Sequence, residues 1–485
     1  MHMVDKLKIP SLEPNHGKNL EFRGGIWACT VPLLTFLVCT VGLVVAGAPK
    51  EEGMILAAML GLSLGMLFVK SFADYSERIF TLMANRTAAV AVVCWLWAGA
   101  FAGILGSSGL VEATVWIGWK MGFTGALFTM AVFILAALFA VSVGTGMGTV
   151  VGFTPIMYPA GIILGGDPVV LMGAILSGAA FGDNLAPISD TTIVSATTQE
   201  TDVGGVVRSR LNYCLIAGGL SCVLFFLLGK GDVAMDSTAA QALLAKTADP
   251  AGLPMLIPAI IVFVVAISGF HFLAALTAGI VTAAIIGPLT GVMTWGDLFH
   301  VTHDGLVEGS LVKGAMGLVP VAILTLLLVT SIGLLEDGGF LKAMMRLLDR
   351  TLAKTVRGAE FSIIILVSFA NLCVSVNTVA MITAGPLVNQ LRRRHGIGSY
   401  RSANLLDSIS CSFPYVLPYA APIAAGIAIT QQAHEAYDFV PMLSWGQIAP
   451  YIFYCLILFP VMCVAVITGY GRGEIQVEEK EIATP

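Results

Sequence analysis

Two carboxylates, an amide, three hydroxyls and a proline stand together inside apolar sequence: Phe181-Gly182-Asp183-Asn184-Leu185-Ala186-Pro187-Ile188-Ser189-Asp190-Thr191-Thr192. A carboxylate at bilayer depth is costly, so it normally faces a cavity or a bundle interior and marks an ion or proton path. Pro187 removes a helix hydrogen bond at the same place. Carbonyls freed beside acidic side chains are how discontinuous transporter helices hold small cations. Burial disfavours the charged form of a carboxyl. A proton and a cation therefore compete for Asp183, and that competition yields antiport. Asp190 lies beyond the proline, so the two carboxylates need not share a helix face. It is either a second ligand or a cap of the continuing helix through Thr191 and Thr192.

Small hard cations take oxygen ligands, and the sequence supplies them in four clusters. Ser142, Thr145 and Thr149 accompany a glycine-rich run, and Asp183, Asn184, Asp190 and Thr191 follow at the proline break. Ser375, Asn377 and Thr378 form a second group, followed by Ser410, Ser412, Tyr415 and Tyr419 among Pro414, Pro418 and Pro422. The alternative for the hydroxyls is that they bond their own helix carbonyls, and it is strongest for Ser410 and Thr149. Asp407 has no counterpart carboxylate in the first group; it is a proton relay or the partner of an arginine such as Arg401.

The elements that must position these residues come in two copies. Ser142-Val143-Gly144-Thr145 recurs as Ser375-Val376-Asn377-Thr378, and Gly125-Ala126-Leu127-Phe128 as Gly358-Ala359-Glu360-Phe361, both 233 residues later. Tyr213-Cys214-Leu215-Ile216 returns as Tyr454-Cys455-Leu456-Ile457. The division expected is 1–26 as a cytoplasmic segment, 27–230 as a first membrane repeat, 231–252 as an extracytoplasmic connector, 253–470 as a second repeat and 471–485 as a cytoplasmic tail. Each repeat reads as apolar segments (27–47, 54–70 and 88–108; 253–270, 272–292 and 313–335), then an amphipathic stretch (108–120; 337–354). A segment too long for one crossing follows (124–164; 359–389), then a broken helix (168–203; 400–430) and a last crossing (208–230; 446–470). The long segments are expected to be re-entrant hairpins with Ser-Val-x-Thr at the tip, irregular backbone being allowed at membrane depth where it is buried in protein. The fold expected is an all-α integral membrane protein of two inverted repeats of five transmembrane helices, each with a re-entrant hairpin and a broken helix.

Composition supports the membrane setting. With 57% hydrophobic residues, 11% charged residues and a mean hydropathy of +0.89, the chain departs far from the roughly 25% charge of soluble domains. Nucleic acid is not an expected partner, since the basic residues are dispersed or end helices. The nine cysteines and seven histidines show no metal-ligand spacing, so no cofactor and no metal beyond Na+ is expected. The polar stretch before Trp27 does not read as a cleaved signal peptide.

Five crossings per half, an odd number, place the halves in opposite orientations. Lys70, Arg78 and Arg86, then Arg208 and Arg210, then Arg392, Arg393, Arg394 and Arg401 all fall inside if both termini are cytoplasmic. The opposite connectors hold Glu51, Glu52, Asp297, Asp304, Glu308, Glu435 and Asp438. On this topology the first hairpin enters from outside and the second from the cytoplasm. Glu336 and Asp337 are expected to be solvated at a helix end.

Residues 182–192, with the glycine-rich run 142–149, resemble the NhaC-type Na+/H+ antiporter family, and the hairpin tips are similar to those of the wider ion-transporter superfamily. The resemblance implies a scaffold and a mobile transport domain working as an elevator, a homodimer, and a bacterial inner membrane. It also implies Na+ and H+ as the transported ions, with exchangers of organic solutes in the same family. Asn184 departs from the family pattern, in which a lysine is common, and would leave more room for an ion or substrate. The expected function is Na+/H+ antiport; the alternative is a proton- or sodium-coupled carrier of a small organic acid or amino acid, seated near Asn377 and Tyr415. An enzyme is not expected, because neither a nucleophile with its base nor a metal cluster is evident, and ATP-driven pumping is not, because no phosphate-binding loop is present.

Overall fold

The computed structural model describes residues 20–45, 51–84, 86–187, 189–231, 248–267, 272–373, 377–437 and 439–472, and these are overwhelmingly helical. The first half holds α1 (Val31–Val45), α2 (Glu51–Met66), α3 (Phe72–Met83), α4 (Arg86–Gly106), α5 (Leu110–Met121), α6 (Gly125–Val143), α7 (Gly146–Ile163), α8 (Pro168–Leu185), α9 (Asp190–Thr198) and α10 (Val203–Leu228). The second holds α11 (Leu256–Ile267), α12 (Phe272–Thr290), α13 (Trp295–Leu298), α14 (Ser310–Gly317), α15 (Val319–Asp337), α16 (Phe340–Thr351), α17 (Val356–Cys373), α18 (Asn377–His395), α19 (Ser399–Cys411), α20 (Ala421–Ala436), α21 (Trp445–Ile448) and α22 (Phe453–Thr468). Between α13 and α14 a short antiparallel ribbon pairs β1 (His300–Val301) with β2 (Val307–Glu308).

The order of helices recurs. An amphipathic helix (α5, α16) precedes a helical hairpin (α6–α7, α17–α18), then a broken helix (α8–α9, α19–α20), then a closing helix (α10, α22). Each break has a local cause. α6 stops where Gly144 takes φ +72°, a conformation glycine alone enters freely, and α7 restarts from Thr145 in extended backbone. α8 is set by Asp167, whose carboxylate accepts the Val169 and Val170 amides at 2.9 Å each. It ends at Leu185 because Ala186, ahead of Pro187, is extended at ψ 121°, as residues before proline are.

Among the described residues, six helical segments are long and apolar enough to cross a membrane, or eight if two bent pairs each count as one span. That is fewer than the ten crossings expected. The second hairpin and broken helix account for part of the difference: α18 ends in Arg392, Arg393, Arg394 and His395, and α19 carries Arg401, Asn404 and Asp407, yet every residue of α19 is buried. α19 is interior without being apolar. The spans sort accordingly: 78% of 146–163 and 83% of the 168–198 window is buried by protein, against 33% for 203–228 and 28% for 273–290. The latter present an apolar outer face, as Leu215, Leu220, Phe226 and Ile285 do, which suits lipid.

The bases of the two hairpins lie at opposite ends of α10. At its start, Asp202 accepts the Tyr400 hydroxyl from α19; at its end, the Asp167 amide donates to Gly229 O at 3.0 Å and Gly231 N to Gly165 O at 3.0 Å. The helix has 26 residues, roughly 39 Å at 1.5 Å per residue.

Three charge assignments change. Arg210 and Arg401 are not loop charges but wholly buried side chains, because each meets a buried carboxylate. Arg392, Arg393 and Arg394 belong to the last turn of α18, where cations complement the helix dipole. Asp337 is not simply solvated: it holds Arg78 through both oxygens at 2.6 and 2.8 Å, tying α3 to α15.

Candidate functional site

The hairpin tips and the α8–α9 break converge on Asp183 and Asp190. Asp183, on the last turn of α8, is buried. Its Oδ1 accepts the Ser189 hydroxyl at 2.8 Å, and its Oδ2 faces the Tyr415 hydroxyl at 3.5 Å. The Gly146 amide, at the start of α7, also faces this carboxylate. The positive end of the α7 dipole therefore points at Asp183. Ser189 stands at the N-cap position of α9 but caps nothing; its hydroxyl donates to Asp183 and pairs with Thr191 Oγ1, 2.9 Å away.

Asp190 is the first residue of α9 and is exposed. Its two oxygens take different partners. Oδ1 accepts the Thr191 amide at 3.0 Å, and Oδ2 accepts the Thr378 hydroxyl at 2.5 Å. Thr378 lies in the first turn of α18, so the first hairpin tip faces Asp183 and the second faces Asp190. Among the described residues neither carboxylate has a lysine, arginine or histidine partner.

The remaining sequence candidates divide. Thr145 caps α7 through the Gly148 amide at 3.4 Å, Asn377 accepts the Thr378 amide at 3.0 Å, and Ser412 donates to Ser408 O at 2.9 Å. These three shape the backbone around the site. Thr149 bonds Thr145 O at 3.0 Å, and Ser410 bonds Asn371 Oδ1 at 2.9 Å, as the conservative reading of hydroxyls requires. Tyr419 donates to Leu372 O. Ser375 and the side chain of Ser142 lie outside the described residues.

Asp407 is the partner of an arginine, but of Arg210 rather than Arg401. Arg210 Nη1 donates to Asp407 Oδ2, and Nη2 donates to Thr192 Oγ1 at 2.9 Å. Ser195 adds a second donor to Asp407 at 3.2 Å, the Asn184 amide a third at 3.5 Å and Cys411 Sγ a fourth at 3.3 Å. Arg401 instead pairs with Glu360 at 3.0 Å, and Glu360 also takes Arg472 from the end of the described chain. Nor does Asn184 leave space for an ion. Its Oδ1 already accepts Cys214 Sγ at 2.8 Å and the Tyr454 hydroxyl at 3.1 Å, and the residue is fully buried.

The first half of this chain matches the Na+/H+ antiporter family. The family model covers residues 24–230, and the resemblance read from the acidic signature holds. Over 250 residues, 50% of each chain, the sequence is 30% identical to the malate-2H+/Na+-lactate antiporter of Bacillus subtilis. It is 28% identical over 195 residues to the arginine/ornithine antiporter ArcD of Halobacterium salinarum, covering 39% of this chain and 40% of that one. It is 25% identical over 240 residues to the Na+/H+ antiporter NhaC of Alkalihalophilus pseudofirmus, covering 47% and 51%. The chain spans about half the length of the curated relatives it matches. MtrF of Neisseria gonorrhoeae, a solved structure presented with a class of antimetabolite efflux pumps, aligns over 81% of this chain and 85% of its own at 12% identity and a TM-score of 0.39.

Ser189, Ser195, Arg210 and Tyr454 are the site residues that sequence reasoning passed over. Ser189 was in plain view within the acidic run. Arg210 carried the one signal that could have found it: an ionisable side chain seven residues into an apolar helix, which is a functional candidate by default.

Proposed function

We propose that the protein is a secondary transporter exchanging Na+ for H+ across a bacterial inner membrane. The observation carrying this is a pair of carboxylates without a cationic partner among the described residues, each facing one helix start, with Asp183 buried and Asp190 exposed. Such a site is two positive charges short of neutrality. Na+ or protons supply them, and because a carboxylate cannot hold both, loading one releases the other. Oxygens from Ser189, Thr191, Thr378 and Tyr415 stand beside the carboxylates as neutral ligands. Asp190 receives the cation from water and Asp183 is the inner proton-exchanging group.

The recurring order of helices and the hairpin bases at opposite ends of α10 support two inverted repeats, one hairpin opening to each side. Alternating access then follows by an elevator movement of α6–α10 with α17–α22 against α1–α4 with α11–α15, in a homodimer with cytoplasmic termini. A second reading rests on the relatives that exchange malate with lactate and arginine with ornithine: a coupled carrier of a small organic acid or amino acid seated between Asp190, Asn377 and Tyr415. Proteoliposomes loaded with a pH dye separate the two. Na+ alone moves protons under the first reading. Failure of Na+ alone, with proton movement on adding malate, lactate, arginine or ornithine, decides for the second.

A further inference from the structure

The Arg210–Asp407 pair is fully buried, sits on helices from both halves of the chain, and touches the α9 start through Thr192, next to Thr191 and two residues from Asp190. An arginine does not give up its proton in a protein. Its charge here is matched by a carboxylate that is close enough to act electrostatically on both Asp183 and Asp190. Removing one member of a buried pair strands the other, whereas removing both can be nearly neutral. The second guanidinium nitrogen reaches Thr192, so the fork also fixes α9, α10 and α19 to one another; Nε has no partner among the described residues.

We propose that Arg210 is a positioning residue that cancels the charge of Asp407 and so holds the transport site at two exchanging carboxylates rather than three. The inference rests on the Na+/H+ reading of that site, which it deepens by excluding Asp407 from the proton cycle. The groups that face the pair are Asn184 and Asp183 of α8, Asp190 of α9, Cys214 of α10, Cys411 of α19 and Tyr454 of α22. Among them the two aspartates are the carboxylates next to the pair. The pair's charge balance therefore acts directly on the exchanging carboxylates. An extra negative charge nearby favours protonation and an extra positive charge opposes it.

The test uses the full chain, purified and reconstituted, as wild type, Arg210→Gln, Asp407→Asn, Arg210→Lys and the Arg210→Gln/Asp407→Asn double variant. Two readouts are taken: melting temperature, and the pH midpoint of Na+-driven proton movement. Arg210→Gln is expected to displace the midpoint to alkaline pH and Asp407→Asn to acid pH. Arg210→Lys and the double variant are expected to return it to the wild-type value. Each single neutralisation is expected to lower the melting temperature more than the double variant does. Loss of coupled exchange in a folded double variant would mean that Asp407 carries the proton and overturns the proposal. So would single variants that melt early with an undisplaced midpoint, because the pair would then be structural only. Should wild type itself fail to move protons with Na+, the Na+/H+ reading falls on its own, and additive melting temperatures in the same cycle would overturn the pairing separately.

Discussion

Asp183 keeps its neighbours through the Ser189 and Tyr415 hydroxyls and the Gly146 amide; an asparagine of the same shape keeps an acceptor oxygen, and a hydroxyl can turn to accept from its NH2. Asp183→Asn is therefore expected to fold, with a melting temperature within a few degrees of wild type, and to lose coupled exchange completely. Normal pH-dependent exchange in that variant would move the proton site to Asp190. Gly146 gives a steric prediction at the same point. A Cβ on it would lie 1.6 Å from the Tyr415 hydroxyl oxygen, so Gly146→Ala must push apart the α7 start and the α19–α20 break. Overpacking of this kind costs about 1–3 kcal/mol. Removing the hydroxyl in Gly146→Ala/Tyr415→Phe is expected to recover most of the lost melting temperature; no recovery would mean that the tip, not the tyrosine, is what resists the methyl.

Elements, not single residues, bring the second hairpin to the site. α18 reaches Asp190 only through Thr378 Oγ1, and a hydrogen bond to a charged group is worth about 1.5–3 kcal/mol. Thr378→Val should raise the apparent Na+ Km by at least tenfold with little change in protein yield, whereas Thr378→Ser should stay near wild type. An unchanged Km for the valine variant would detach the second tip from the cation path. At the aqueous start of α10 the Tyr400 hydroxyl and the Gly205 amide hold the Asp202 carboxyl below its ordinary range. A depressed folded-state pKa contributes stability above the unfolded value, about 3.9, and loses it as pH falls through the folded value. Asp202→Asn should accordingly narrow the stability difference between neutral pH and pH 3, seen as a smaller drop in melting temperature on acidification.

Across the whole molecule, the placement of hairpin bases at the two ends of α10 makes orientation testable on one helix. Gly204 and Lys230 are both exposed and flank its length. With background cysteines removed, Gly204→Cys should be protected in intact cells and Lys230→Cys labelled by an impermeant reagent from outside. Labelling of both from one side would dismantle the inverted arrangement. Competition between Na+ and protons at one buried carboxylate also predicts that raising pH lowers the apparent Na+ Km until it reaches a plateau. A Km independent of pH over the same range would separate the two sites.

Period and punctuation in the sequence determined the elements: runs ended by Gly144, Pro187 or Pro414 become α6, α8 and α19 with boundaries displaced by a few residues, because helix stops are local chemistry. The acidic run at 181–192 likewise announced a site, since charge in hydrocarbon has to be used. α3 escaped because its charged face, with Asp74, Glu77 and Arg78, carries no membrane signal. What the sequence could not determine was pairing. Arg210 and Asp407 stand 197 residues apart, and Arg401 with its true partner Glu360 stands 41 apart. The apolar helix around Arg210 marks that arginine as unusual but does not name its partner, and nothing local marks Arg401 at all. That choice belongs to the tertiary structure, which alone decides which charges meet in the dry interior and which carboxylates are left for a transported cation.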